Sequence, residues 1–221
     1  MLDHILSELK KHAPFTGFGA LVGVLIMIAS LRIPKEISHN LFYILHPIHV
    51  VLSAVVTASL YRLHTCSRVS GKCLRGGCNL WKLLLIGYVG SIGIATLSDS
   101  IIPFFAEVLL DMPNRHIHLG FIEKWWLVNP LALAGSIIAC IRPSTKVPHA
   151  GHVLLSTWAS LFHILMAAGL TMSIMSYVTI FIFLFLAVWA PCCLSDIVFP
   201  LLFVGKKTRK DHTRAPNSIP D

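Results

Sequence analysis

The sequence predicts an all-α integral membrane protein with six transmembrane helices arranged as two inverted three-helix repeats. Three observations carry that expectation. Of 221 residues, 55% are hydrophobic and only 13% charged, and the mean hydropathy is +0.75. Soluble domains average ~25% charged residues, so this chain has too few to coat a soluble globule. Six apolar runs approach or exceed the ~20 residues that a helix needs to cross a bilayer. Finally, polar motifs of the first half recur in the second. The composition excludes a soluble enzyme, a disordered tail protein and a disulfide-stapled secreted module.

Taken in order, residues 1–14 place Leu2, Ile5, Leu6 and Leu9 at helical spacing among Asp3, Glu8, Lys10 and Lys11. This reads as a short amphipathic helix on the membrane surface rather than a cleaved leader. The apolar runs are 15–31, 41–61, 83–110, 125–141, 149–173 and 177–204. Four contain no Asp, Glu, Lys or Arg; the third holds Asp99 and Glu107, and the sixth holds Asp196. They are too long for strands and show no period of two, so they read as helices. The expected organisation is a first repeat over 15–110, an extracytoplasmic linker over 111–124, a second repeat over 125–205 and a basic tail over 206–221. Trp125 and Trp126 read as an interfacial belt, and Gly87, Gly90 and Gly93 as points of close helix packing.

Orientation follows from Lys and Arg. With six spans, 14 of the 18 basic residues fall on the side shared by both termini, and Arg32, Lys35, Arg115 and Lys124 fall on the other. Both termini are expected in the cytoplasm, in a plasma or inner membrane. The net charge of +8 is then explained by topology and anionic headgroups rather than by nucleic acid.

The repeat is the most informative feature. HPIHVVLS from His46 matches HAGHVLLS from His149, pairing His46, His49 and Ser53 with His149, His152 and Ser156 at an offset of 103. LSDSIIP from Leu97 matches LSDIVFP from Leu194, pairing Ser98, Asp99 and Pro103 with Ser195, Asp196 and Pro200 at an offset of 97. Three spans per half is an odd number, so the second half enters the membrane inverted, a layout common in secondary transporters.

His46, His49 and Ser53 share one helix face, as do His149, His152 and Ser156. Asp99 and Asp196 are each expected near the bilayer midplane. A carboxylate there costs ~2.5–3.5 kcal/mol or more unless paired or hydrated. The expected metal ligands are therefore His46, His49 and Asp99 in one set and His149, His152 and Asp196 in its twin. Ser53, Ser98, Ser156, Ser195 and Cys193 stand in supporting or pathway positions. Imidazole and carboxylate suit divalent Zn, Ni, Co, Fe or Mn, as cargo or as ligand. Protonated Asp bonded to His would instead make proton carriers. Pro103 and Pro200, four residues after each Asp, each remove the donor that would pair with the carbonyl of that Asp.

A weaker group, His64, Cys66, Cys73 and Cys78, offers a second zinc site without the C-x2-C spacing of zinc modules. Cys140 and Cys192 read as packing residues. His116, His118 and Glu123 read as a solvated loop, with a funnel at a cation entrance as the second reading. The expected function is transport of a divalent transition metal, or of protons coupled to a small solute. The expected partners are membrane lipid, the ion itself and a second copy of the chain. An intramembrane metal-dependent enzyme acting on lipid is the alternative. Further behind stands a di-haem electron carrier, with His49 and His64 of the second span and His149 and His163 of the fifth pairing across antiparallel helices as axial ligands at two levels.

Overall fold

The computed structural model describes residues 2–65 and 79–203; the side chains of 2–8, 11, 146, 193–198 and 200–202 lie outside the description. The described residues form helices and short connections, with no strand among them. The order is α1 (Leu2–Ser30), α2 (Lys35–Thr65), α3 (Leu80–Thr96), a π-helical turn (Leu97–Ile101), α4 (Ile102–Leu109), the one-turn α5 (Gly120–Glu123), α6 (Trp125–Ile141), α7 (Lys146–Ala167) and α8 (Ile174–Leu202).

Five helical segments are long and apolar enough to cross a membrane: His12–Ser30, Lys35–Thr65, Leu80–Leu109, Val147–Ala167 and Ile174–Cys192. Helix α6 is apolar but only 17 residues long, about 26 Å at ~1.5 Å per residue. Helix α1 runs unbroken through Pro14, so the stretch read as a surface helix and the first apolar run form one helix. Its start is tied to α8 by the Trp189 indole, which donates to the Leu9 carbonyl.

Polarity is distributed the opposite way from a soluble bundle. Phe18, Leu25, Trp81, Leu85 and Ile141 face outward, while His46, His49, Ser53, Asp99, His152 and Ser156 are buried. Contiguous exposed apolar surface of this kind needs a non-aqueous neighbour.

Helix α2 is the central element, packed on α7, α6 and α3. It runs antiparallel to α7: Phe42 meets His163, His49 meets His152, and Leu52 lies beside Gly151. Small residues let α2 approach α6 and α6 approach α3. A Cβ on Gly135 would fall 2.6 Å from the Val51 carbonyl oxygen, and one on Gly87 would fall 2.3 Å from the Ser136 hydroxyl. Gly90 is equally confined, by Thr57 and Phe199, but Gly93 has nothing within 4 Å and plays no part in packing. A separate apolar core joins α1, α7 and α8 through Met27, Leu161, Ile164, Ile180 and Leu184. Arg62, near the end of α2, donates to the last carbonyls of α6, Ala139 and Cys140, where a cation is favoured by the helix dipole.

Candidate functional site

The site begins with two i, i+3 pairs on facing helices and one break in a third. Helix α2 presents His46 and His49, and α7 presents His149, His152, Ser156 and Ser160. Between α3 and α4 the chain widens into the π turn that holds Asp99. Such turns are rare and frequent at functional sites. Its register also corrects the expectation for Pro103. The Ile102 N–H bonds to Leu97, five residues back, so in this register Pro103 leaves Ser98, not Asp99, without its backbone donor. The Ser160 hydroxyl is within donor reach of that Ser98 carbonyl at 3.0 Å and of the Ser156 carbonyl of its own helix at 2.7 Å.

Asp99 is fully buried and surrounded by donors. Nδ1 of His46 and Nδ1 of His49 lie 2.9 and 2.7 Å from its Oδ2. The hydroxyls of Ser98 and Ser156 donate to its Oδ1 at 2.7 and 2.8 Å. Four donors on two oxygens match the acceptor capacity of an ionised carboxylate. Each ring then carries its proton on Nδ1 and leaves Nε2 as a lone pair. For His49 that Nε2 is buried and has no hydrogen-bond partner among the described residues.

The open side of His49 faces the second half of the chain. Its ring centroid is 5.6 Å from that of His152, and one ligand atom each of His49, His152 and Cys192 lies within 4.8 Å of the others. Carboxylate-oriented imidazole is the usual outer support of a metal-binding histidine. Two imidazoles and a thiol suit zinc and its neighbours, and three protein ligands leave a coordination position open. In this arrangement Asp99 orients His46 and His49 by hydrogen bonds and is not itself a member of the ligand group.

The expected sets are thus only partly kept apart. His46, His49, Ser98 and Asp99 come together as the spacing predicts. His152 and Ser156 join them, while the His149 ring stands 5.1 Å from that of His152 and its Nε2 lies 3.2 Å from His12 Nδ1, those two rings being tilted with centroids 4.4 Å apart. The side chains of Cys193, Ser195 and Asp196 lie outside the described residues. Ser53 is buried beneath His49 with its hydroxyl unpartnered among the described residues, as is that of Thr57. Cys192, read from sequence as packing, is the cysteine at the site. His64 bonds its own Leu60 carbonyl at 2.8 Å, and Cys66, Cys73 and Cys78 lie outside the described residues.

A second buried pair was not anticipated. His163 Nδ1 is 2.6 Å from Glu107 Oε1, and both residues are almost fully buried. The backbone N–H of His118 donates to His163 Nε2, which fixes the His163 proton on Nδ1. Both ring nitrogens are therefore engaged within the protein, which speaks against the haem-ligand reading of His163. Glu107 Oε2 has no partner among the described residues. Its signal was present in the sequence as a second carboxylate in an apolar run, and His163 continues the stripe of Ser156 and Ser160.

At the end of the bundle near α5, Glu123 accepts the Tyr43 hydroxyl and the Leu119 N–H, and lies 3.3 Å from His118 Nδ1. Burial alone would raise the Glu123 carboxyl, but the bonds from Tyr43 and His118 outweigh it and hold it below the ordinary value. Burial lowers the His118 imidazole, aided by the neighbouring His163 and His116.

Together these rings form a file through the bundle. It runs from His118 to His163 (5.4 Å), to Phe42 (5.4 Å), to His46 (5.2 Å), through Asp99 to His49, then to His152, His149 and His12. From His163 to His149 alone it covers about 21 Å of helix at ~1.5 Å per residue. Phe42, fully buried, is the one member that carries neither charge nor lone pair. No family model matches this chain, and no curated protein or solved structure is significantly similar to it.

Proposed function

We propose that this protein is a membrane transporter that moves a divalent transition-metal cation, in exchange for protons, through a central site of His49, His152 and Cys192. The observation that carries this reading is the orientation of His49: a buried carboxylate takes its Nδ1 and leaves an unpartnered Nε2 beside a second imidazole and a thiol. The file of imidazoles leading away on both sides supports passage rather than permanent storage, since an ion in transit needs successive weak sites. Net neutrality supports it too. Asp99 has no Lys or Arg among its hydrogen-bond partners, so its charge calls for a proton or a cation nearby.

The internal repeat gives the proposal its two-sided form. In an inverted pair of three-helix units, α2 and α7 are equivalent, and their antiparallel contact at His49 and His152 is where a pseudo-two-fold axis would pass. The basic residues favour both termini on the cytoplasmic face. The alternative, a metal-dependent enzyme acting on lipid, would use the same oriented imidazole to activate water.

The test is uptake of Zn²⁺ or Co²⁺ into proteoliposomes holding a metal-sensitive dye. Wild-type protein is expected to give saturable flux with proton counter-movement. His49→Ala, His152→Ala and Cys192→Ser are each expected to reduce it at least about tenfold. Undiminished flux in the folded His49→Ala, His152→Ala double variant would overturn the proposal.

A further inference from the structure

We propose that the α5 end of the bundle carries a second, separate divalent transition-metal site, built from the imidazoles of His116 and His118 and the carboxylate of Glu123. One ligand atom from each lies within 4.8 Å of the others. The three residues belong to the non-helical segment 115–119 and the single turn that follows it. The rings of His116 and His118 are 4.7 Å apart. Arg115, next to His116, is drawn aside by an ion pair of 3.0 Å with Asp111. Lys124 lies over the Tyr43 ring, 5.4 Å from its centroid.

Several features separate this group from an ordinary polar loop. The His118 ring is ringed by His116, His163, His39, Phe42 and Tyr43, all with centroids within 6.3 Å. Glu123 is anchored through both oxygens, by the Leu119 N–H and the Tyr43 hydroxyl. The loop backbone is itself tied inward by the bond from His118 to His163. Behind it the buried Glu107 has one oxygen, Oε2, with no partner among the described residues, aligned with a file that already leads inward.

Two imidazoles and one carboxylate select a borderline divalent cation such as Zn²⁺, Co²⁺ or Ni²⁺ and leave half the coordination sphere to water. Without a thiol, the site should hold its ion less tightly than the central one. Its existence is independent of the transport reading; its role as the loading point of the file rests on that reading. Onward movement leads to His163 and Glu107, and there Phe42 separates the loading end from His46 and Asp99.

The two sites differ in a way that spectroscopy separates. Co²⁺ bound with a thiolate gives a sulfur-to-metal charge-transfer band, whereas Co²⁺ bound by nitrogen and oxygen gives only weak ligand-field bands. Full-length protein in detergent is titrated with Co²⁺. His116→Ala, at an exposed position, and Glu123→Gln are each expected to weaken the nitrogen–oxygen class by more than about tenfold while the thiolate band is unchanged. Cys192→Ser is expected to do the reverse. The proposal is overturned if both loop variants bind Co²⁺ with wild-type stoichiometry and spectrum, or if the wild type shows no nitrogen–oxygen class. Absence of the thiolate band in every protein, with the loop class intact, would instead remove the central site and leave this one standing.

Discussion

Replacing Asp99 by Asn isolates the charge of the central carboxylate from its hydrogen bonds. The amide has the same shape, and hydroxyls accept as readily as they donate. It can therefore turn its NH₂ toward Ser98 and Ser156 and its carbonyl oxygen toward the Nδ1–H groups of His46 and His49. All four contacts, at 2.7–2.9 Å in the wild type, can survive. Hydrogen bonds to a charged group contribute ~1.5–3 kcal/mol and neutral ones ~0.5–1.5, so four bonds lose about 4–6 kcal/mol in all. On the membrane-transporter reading, removing a carboxylate from the bilayer core returns ~2.5–3.5 kcal/mol. The variant should thus be destabilised by about 2 kcal/mol relative to the wild type. Asp99→Ala behaves differently, because two imidazoles and two hydroxyls are left buried and unpaired at ~1–3 kcal/mol each. That loss, roughly 4–12 kcal/mol, rivals the whole stability of a typical domain, ~5–15 kcal/mol. Metal affinity should separate from stability: Asp99→Asn removes the charge that balances a dication and is expected to weaken Zn²⁺ binding about 10–100-fold. Denaturant unfolding and calorimetric Zn²⁺ titration measure the two quantities. Wild-type affinity in a folded Asp99→Asn protein would refute the role given to the charge. Equal destabilisation by Asn and Ala would refute the hydrogen-bond reasoning.

Other expectations follow from single contacts. Gly135→Ala drives a methyl group against the Val51 carbonyl at 2.6 Å and is expected to cost about 1–3 kcal/mol of stability, whereas Gly93→Ala, with open space around it, is expected to be neutral or stabilising by ~0.5–1 kcal/mol; thermal unfolding of the pair checks this. The α5 loop should loosen as pH falls. His118 has a folded value below its ordinary 6.5, so the undocked loop takes up the proton first, and docking weakens as pH drops through 6.5 toward the folded value. Glu123, held below its ordinary 4.5, adds a further loss as pH falls below that point. Amide exchange of residues 116–123, corrected for intrinsic rates, should speed up from pH 7 to pH 4; slower exchange would contradict the sign. Phe42→Ala is expected to cost about 3–5 kcal/mol and to join the polar groups on its two sides. Radical footprinting should then find new water access at His46 and His163.

The all-helical class and the long apolar helices are legible because such helices announce themselves by length and lack of charge. The His46, His49 and Asp99 cluster is legible for a related reason: polar residues in an apolar run must meet one another. Spacing alone places a residue on a helix face but does not say which face it meets. The sequence aligned His152 and Ser156 with a second acidic partner. The antiparallel packing of α7 on α2 also brings them to His49 and Asp99, and the side chain of Asp196 lies outside the described residues. Cys192 looked like packing because thiols usually are, and only the position of α8 against α2 and α7 makes it a potential ligand. Glu107 and His163 lie 56 residues apart, with no motif linking them. Their pairing depends on the exact turn of the chain between Asp99 and Glu107.

That turn has a consequence for the geometry of the whole file. An α-helix advances ~100° per residue, so eight residues of regular helix would set Asp99 and Glu107 about 80° apart around the axis. The widened turn at Leu97–Ile101 rotates less per residue and takes back part of that angle, so Ser156 can reach one carboxylate while His163 reaches the other from a single neighbouring helix. It acts as a phase correction, keeping two acids in step along one wall. By the same arithmetic, seven residues of regular helix would set two acids only about 20° apart, so the widened turn absorbs the one residue too many that separates Asp99 from Glu107.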